Sequence, residues 1–286
     1  MKITDIYKNK KTVLSFEIFP PKKDEELNNI DPTLEILSDL KPDYISVTFG
    51  AGGNANNSKT ISLAKRIKEV YHTEPVVHLT GLCYDKVEID AFAKEIKDAG
   101  VENILALRGD INPNIPQKND FPHASDLIAY LKGSYDFCIA GACYPECHTE
   151  SPDKVTDIRN LKKKVDAGAD VLLSQLFFDN SYFFNMVEAA RIAGIDVPIT
   201  PGIMPCLTVA SIKRMVSTCG ATLPSNFQRI VDRYGDNPDA FLDAGLSYAI
   251  SQIIDLLTTG CDGIHLYTMN RPSAVKRICE GIRNII

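Results

Sequence analysis

Eight short apolar runs, each followed by a longer amphipathic stretch, leave this chain few folds to choose from. The runs are Val13–Phe19, Tyr44–Thr48, Pro75–Thr80, Glu102–Leu107, Phe137–Ala142, Asp170–Gln175, Val197–Thr200 and Gly263–Thr268. Branched and aromatic residues dominate them, and their apolarity is nearly continuous, as in parallel strands covered on both faces. Between them, Ser58–Tyr71, Val87–Ala99, Ser125–Lys132, Thr156–Ala167 and Ser181–Ala193 read as helices. In Ile61-Leu63-Ala64-Ile67 and Leu161-Val165 the apolar residues recur at helical steps. Ser58 and Asp153 are the expected N-caps, and Gly100, Gly168 and Gly194 stand where helices should end.

Strand–helix units of about 30 residues, repeated eight times, predict an α/β fold, a (β/α)₈ TIM barrel. An open doubly wound sheet is the alternative. The long stretch Pro201–Asp262 between the seventh and eighth strands should hold extra helices. No low-complexity linker or break in composition divides the chain, so residues 1–286 are expected to form one domain.

Charge and cysteine content narrow the function. Acids outnumber bases 37 to 31, and beyond Lys162-Lys163-Lys164 there is no basic cluster, which argues against a nucleic-acid partner. No apolar stretch approaches the roughly 20 residues of a bilayer span, and Met1–Asp5 lacks the apolar core of a secretion signal. A cytoplasmic protein with no membrane insertion is expected, its eight cysteines reduced and mostly buried.

In a barrel of this type the active site lies at the carboxyl ends of the strands. Polar residues at those ends are Glu17, Thr48, His78, Thr80, Arg108-Gly109-Asp110, Tyr144, Gln175 and Tyr267, followed by Arg271. Polar groups inside apolar strands cost about 1–3 kcal/mol each unless paired. Glu17 interrupts Val13–Phe19, where burial should raise its pKa and suit it to general-acid work. The bland alternative is a Glu paired with an Arg in the barrel mouth.

Arg108-Gly109-Asp110 offers a phosphate grip, a close backbone approach and a hydrogen-bond acceptor, or else a surface ion pair at a turn. Phe49–Ala55 formally fits a dinucleotide-binding glycine pattern, but it follows the second strand, and a barrel-mouth loop is the preferred reading. Cys143, Cys147 and His148 do not complete a zinc ligand set, and no metal is expected. His72 and His123 read as loop histidines, and His265 as a hydrogen-bonded core histidine. Asp157, Asn160 and Lys164 share one helix side, which suits a solvated face or a bound phosphate and ribose.

In sequence order, Ser15–Lys22, Val47–Gly53, His78-Leu79-Thr80, Ala106–Asp110, Tyr144-Pro145-Glu146 with His148, Lys164–Ala169, Ser174–Asp179, Pro201–Pro205 and Tyr267–Arg271 together resemble methylenetetrahydrofolate reductases of the short bacterial type. The resemblance covers nearly the whole chain. It implies a (β/α)₈ barrel carrying flavin, FAD rather than FMN, that reduces 5,10-methylenetetrahydrofolate to 5-methyltetrahydrofolate in one-carbon metabolism and methionine biosynthesis. No counterpart of the regulatory domain of the eukaryotic enzymes is expected. By the resemblance, Glu17 is the general acid, Asp110 the carboxylate between flavin and folate, Gln175 a pterin contact and Arg271 a substrate contact. Flavin contacts carry over to Thr48, His78, Arg108, Gly109, Asp110, Ala124, Tyr144, His148, Asp157, Asn160, Lys163 and Lys164. Lys163 stands where relatives often have Arg.

The helix after Pro205 departs from the family pattern. NADH-using members commonly carry a Gln and, one turn later, a Phe against substrate or nicotinamide; here Ser211 and Met215 occupy those positions. Ser211 is the expected substrate contact, but it is too short to span the same distance. The reductant is therefore NADH or a reduced electron carrier on a partner subunit, and homo-oligomerisation stays open. Two other classes remain. One is a folate-binding methyltransferase barrel without flavin. The other is a non-catalytic subunit of an electron-transfer complex, which would be expected to lose Glu17 or Asp110.

Overall fold

A computed structural model describes residues 1–21, 30–49, 57–111 and 113–286. The glycine-rich segment after Phe49 and the stretch from Lys22 lie outside the described residues. In chain order the elements are α1 (Ile3–Asn9), β1 (Val13–Ile18), α2 (Asp31–Asp39), β2 (Tyr44–Val47), α3 (Asn57–Glu69), β3 (Glu74–Thr80), α4 (Lys86–Asp98), β4 (Asn103–Leu107), α5 (Ala124–Ser134) and β5 (Cys138–Cys143). They continue as α6 (Lys154–Asp166), β6 (Val171–Ser174), α7 (Asn180–Ile192), β7 (Ile199–Thr200), β8 (Gly202–Ile203), α8 (Val209–Cys219), α9 (Ser225–Tyr234), α10 (Pro238–Thr258), β9 (Gly263–Tyr267) and α11 (Pro272–Ile282).

All strand pairs are parallel, in the order β7-β6-β5-β4-β3-β2-β1-β9-β8. β7 and β8 are separated only by Pro201, so the two ends of the sheet meet in one chain segment and the barrel closes. The expected single strand Val197–Thr200 is thus shorter and split. Proline has no N–H for the ladder, yet its carbonyl accepts from the His265 N–H at 3.0 Å. Closure also requires glycine at 202, where a Cβ would stand 2.4 Å from the Ser174 carbonyl oxygen.

Alternation along the strands sorts the core into two layers. Leu14, Phe16 and Ile18 of β1 face outward into a core shared with the helices. Val13 faces inward with Tyr44, Val76, Leu105, Cys138, Ala140, Val171 and Leu173, and α1 closes this inner core with Ile3 and Ile6. By register, Ser15 pairs with Tyr44 and His265, and Glu17 with Ser46 and Tyr267, so Ser15 and Glu17 continue the inward row. Each fully buried large apolar side chain contributes about 1.5–3 kcal/mol, which is what offsets the cost of placing a carboxylate there.

The helix ends follow local chemistry. Asp153 caps α6 by accepting from the Thr156 N–H. α3 begins at Asn57, ahead of the expected Ser58 cap. Gly100, Gly168 and Gly194 all take positive φ at helix ends. The extra helices after β8 are α8, α9 and α10. By length and composition alone α10 passes as long and apolar enough to cross a membrane. Here Phe241, Leu246, Ala249, Ile253 and Leu256 pack into the fold, and Gln252 donates to the Phe177 carbonyl at 3.0 Å.

Candidate active site

Glu17 sits at the carboxyl end of β1, only 8% exposed. His78 Nε2, from β3, lies 3.4 Å from its Oε2, and His265 Nε2, from β9, lies 3.6 Å from the same atom. The Arg partner considered for Glu17 is replaced by two imidazoles. Burial pushes the Glu17 carboxyl up, but His78 and then His265 outweigh it and hold the group at about 2. That reverses the raised value expected from burial alone. His265 does hydrogen-bond, its Nδ1 lying 2.8 Å from Ser15 Oγ, but it also faces the carboxylate and is not merely a core histidine.

At the same carboxyl-end rim of the barrel is a cavity of ≈ 250 Å³ between the ends of β4 and β5 and helices α5 and α6. It gathers Arg108, Ala124, Tyr144, His148, Asp157, Asn160, Lys163 and Lys164. The three consecutive lysines split in role. Lys162 pairs with Asp166, Lys163 donates to Asn160 Oδ1 at 3.1 Å, and Lys164 turns inward to donate to the Ala142 carbonyl at 2.8 Å. Lys164 forms no salt bridge among the described residues, and burial holds its pKa down. Its ammonium lies 5.6 Å from the Tyr144 ring centroid.

Arg108 forms a bidentate pair with Glu150, with Nη2 to Oε1 at 2.7 Å, so the alternative pairing with Asp110 is not formed. Asp110 is exposed. Gly109 takes φ +90°, and a Cβ there would crowd Thr80 Cβ at 3.1 Å. Tyr144 and His148 meet edge to face at 4.6 Å. Burial pushes Tyr144 to about 12 and holds His148 down.

These features fit a flavin. Lys164, half-buried in the field of Asp157 but in no salt bridge among the described residues, suits a phosphate, while Leu107, Ala142 and Leu161 line the same cavity with apolar surface. His123, Ser125, Glu150 and Ser151 also line it. The sequence does not single them out as site residues; His123 is a loop residue, as expected, at the N-cap of α5. The signal was the start of α5 at Ala124, which turns that helix terminus toward the cavity.

Other expected site residues lie outside this cavity. Gln175 follows β6, its Oε1 accepting from the Leu176 N–H at 2.8 Å. Thr48 follows β2, and its carbonyl accepts from the Thr60 hydroxyl at 3.0 Å. Arg271 is exposed at the start of α11. The Ser211 hydroxyl donates to the Thr208 carbonyl at 2.7 Å inside the first turn of α8, and Met215 is buried with Leu176, Phe178 and Phe227. Neither is brought to the cavity, because the α8 turn and a local apolar cluster claim them.

A family model described as methylenetetrahydrofolate reductase matches residues 2–283. The 5,10-methylenetetrahydrofolate reductase of Escherichia coli (strain K12) is 34% identical over 272 residues, 94% of this chain and 91% of that protein. Methylenetetrahydrofolate reductase (NADH) 1 of Arabidopsis thaliana is 33% identical over 284 residues, and this chain spans 48% of its length. An uncharacterised Clostridium thermocellum protein that binds two copies of 5-methyl-5,6,7,8-tetrahydrofolic acid shares the fold, with a TM-score of 0.69 at 14% identity and full coverage of both chains.

Proposed function

The chain belongs to the methylenetetrahydrofolate reductase family of oxidoreductases, and on that premise we propose that it reduces 5,10-methylenetetrahydrofolate to 5-methyltetrahydrofolate. The single observation carrying this reading is a buried carboxylate, Glu17, held between two imidazoles at the same carboxyl-end rim of the barrel as a cavity lined by Arg108, Lys163 and Lys164. Residues 1–286 act in it as one flavin- and folate-binding domain.

The methylene carbon of the substrate bridges N5 and N10, and hydride attack on so saturated a carbon is poor. Glu17 donates a proton to N10, the ring opens, and a 5-iminium cation forms. The Asp110 carboxylate stabilises that cation and orients the pterin, with Gln175 and Arg271 as further substrate contacts. A flavin held at this site would, when reduced, supply the hydride that this cation accepts.

Arg108, Lys163 and Lys164 would hold the cofactor's phosphates, with Asp157 and Asn160 at its ribose and Ala124, Tyr144 and His148 along its length. Thr48, His78, Gly109 and Asp110 complete the proposed contacts. The basic and ribose-binding groups at the α6 end of the cavity favour FAD over FMN. Arg108 must exchange Glu150 for the anion as the cofactor enters. Electrons come from NADH or a reduced carrier on a partner subunit.

The test is direct. Purified protein should absorb near ~450 nm, the property of an oxidised flavin, release FAD on denaturation, and convert methylenetetrahydrofolate under reducing anaerobic conditions. Protein that stays colourless with added FAD would overturn the reading in favour of a flavin-free folate-binding barrel.

A further inference from the structure

His78 Nε2 and His265 Nε2 are buried without a hydrogen-bond partner among the described residues. Both face Glu17 Oε2, at 3.4 and 3.6 Å. A bare imidazole nitrogen turned toward an ionised carboxylate sets lone pair against lone pair, so a proton belongs in this gap.

His265 is constrained from behind as well. Its Nδ1 lies 2.8 Å from Ser15 Oγ, and that hydroxyl also has the Ile264 carbonyl at 3.4 Å. Ser15 has one hydrogen to give. If it goes to Nδ1, the neutral ring carries its own proton on Nε2 and donates to an ionised Glu17. If it goes to the Ile264 carbonyl, Nδ1 donates to Ser15 and the bare Nε2 accepts from a protonated Glu17. The second arrangement holds one proton more than the first, and no net charge is left in the barrel mouth. The extra proton of this arrangement can rest on the His265 ring beside an ionised Glu17, which agrees with a carboxyl held at about 2, or pass back to the carboxyl, which arms Glu17 as a donor.

We propose that His265, with its tautomer set by Ser15, is a positioning residue that stores the transferable proton of Glu17. The proposal rests on the reading of Glu17 as the proton donor. In the step itself Glu17 gives one proton to N10, and the N10–methylene bond breaks with its electron pair left on N10. The pair then returns to the arrangement in which Ser15 donates to Nδ1, and it takes up one proton from water before the next turnover.

The groups facing this pair are His78 from β3, Tyr267 on the same strand as His265, and Tyr44 from β2, whose ring stacks on His265 at 6.2 Å. Burial pushes Tyr44 to about 12 and Tyr267 well above its ordinary value. Both phenols stay neutral, which leaves the carboxylate and the two imidazoles to exchange protons. Among the described residues no hydrogen bond anchors His78 as Ser15 anchors His265, and its place among the proposed flavin contacts gives it other work.

The experiment compares holoenzyme with the His265→Gln and Ser15→Ala variants, following the folate half-reaction from reduced flavin across pH. Gln keeps an N–H near the Nε2 position but cannot carry the extra proton. Losing one site of a shared proton lowers the pH at which that proton is lost. His265→Gln should therefore slow the folate half-reaction on the order of 10-fold near neutrality, below the full general-acid scale. Its falling limb should move to lower pH by about one unit, and Ser15→Ala should move it the same way by less. Flavin reduction by the electron donor should stay unchanged. An equal slowing at every pH, with the limb unmoved in both variants, would mean a purely structural role and overturn the proposal. Undiminished folate reduction in Glu17→Gln would instead remove the reading on which it rests.

Discussion

His78 Nε2 and Glu17 Oε2 stand 3.4 Å apart in the barrel mouth, both nearly sealed from solvent. The contact sets the electrostatics of the site. Alone in an apolar strand Glu17 would hold its proton; beside His78 and His265 it is held at about 2. The proton needed for folate ring opening then belongs to the cluster rather than to the carboxyl alone.

Acid should unfold this protein partly through Glu17. A carboxyl whose folded pKa lies below its ordinary value of 4.5 adds stability above that pH, lost as pH falls toward about 2. Urea titrations of wild type and Glu17→Gln should show a stability difference that shifts in disfavour of wild type as pH drops below 4. A pH-independent difference would contradict the assigned direction.

Asp110→Asn should slow folate reduction more than flavin reduction. Removing the negative charge takes away stabilisation of the iminium cation, while it helps a flavin hold electrons. Separate stopped-flow half-reactions measure both. Equal slowing would leave Asp110 as a residue that only positions the flavin.

Lys164→Met should weaken FAD binding by about 10- to 100-fold, the scale of one charge-assisted hydrogen bond. Met keeps apolar contact with the Tyr144 ring but offers no cation. Equilibrium dialysis of the apoprotein checks this, and Lys164→Arg should recover part of the loss. Unaltered affinity would move the phosphate elsewhere.

Nicotinamide should bind weakly. Ser211 is spent on the Thr208 carbonyl and Met215 is buried in its own apolar cluster, so neither offers a face to a nicotinamide ring. Anaerobic titration should show flavin bleaching that needs far more NADH than a micromolar-affinity donor would, with NADPH poorer still. Rapid saturation by micromolar NADH would contradict this.

Much of the fold was legible because short continuous apolar runs have one economical use in a repeating strand–helix chain. The seventh strand was not, since Pro201 interrupts its ladder and leaves two residues on either side. α10 lies where extra helices are expected, but its bounds are not legible because Asp239, Asp243 and Asp255 break a largely apolar run that the fold buries along one side. Within the site, Asp157, Asn160 and Lys164 were readable from helical spacing. The state of Glu17 was not, because the groups that set it arrive from β3 and β9. Ser15 and His265 are 250 positions apart in sequence, and only barrel closure makes them neighbours.

The central claim is that Glu17 supplies the proton that lets folate accept hydride. The most direct measurement mixes photoreduced holoenzyme anaerobically with 5,10-methylenetetrahydrofolate and follows absorbance near ~450 nm alongside 5-methyltetrahydrofolate. Wild type should reoxidise its flavin with one equivalent of product, and Glu17→Gln should do so slower on the order of 10²-fold or more. Equal rates in the two proteins, or reoxidation without 5-methyltetrahydrofolate, would contradict the account.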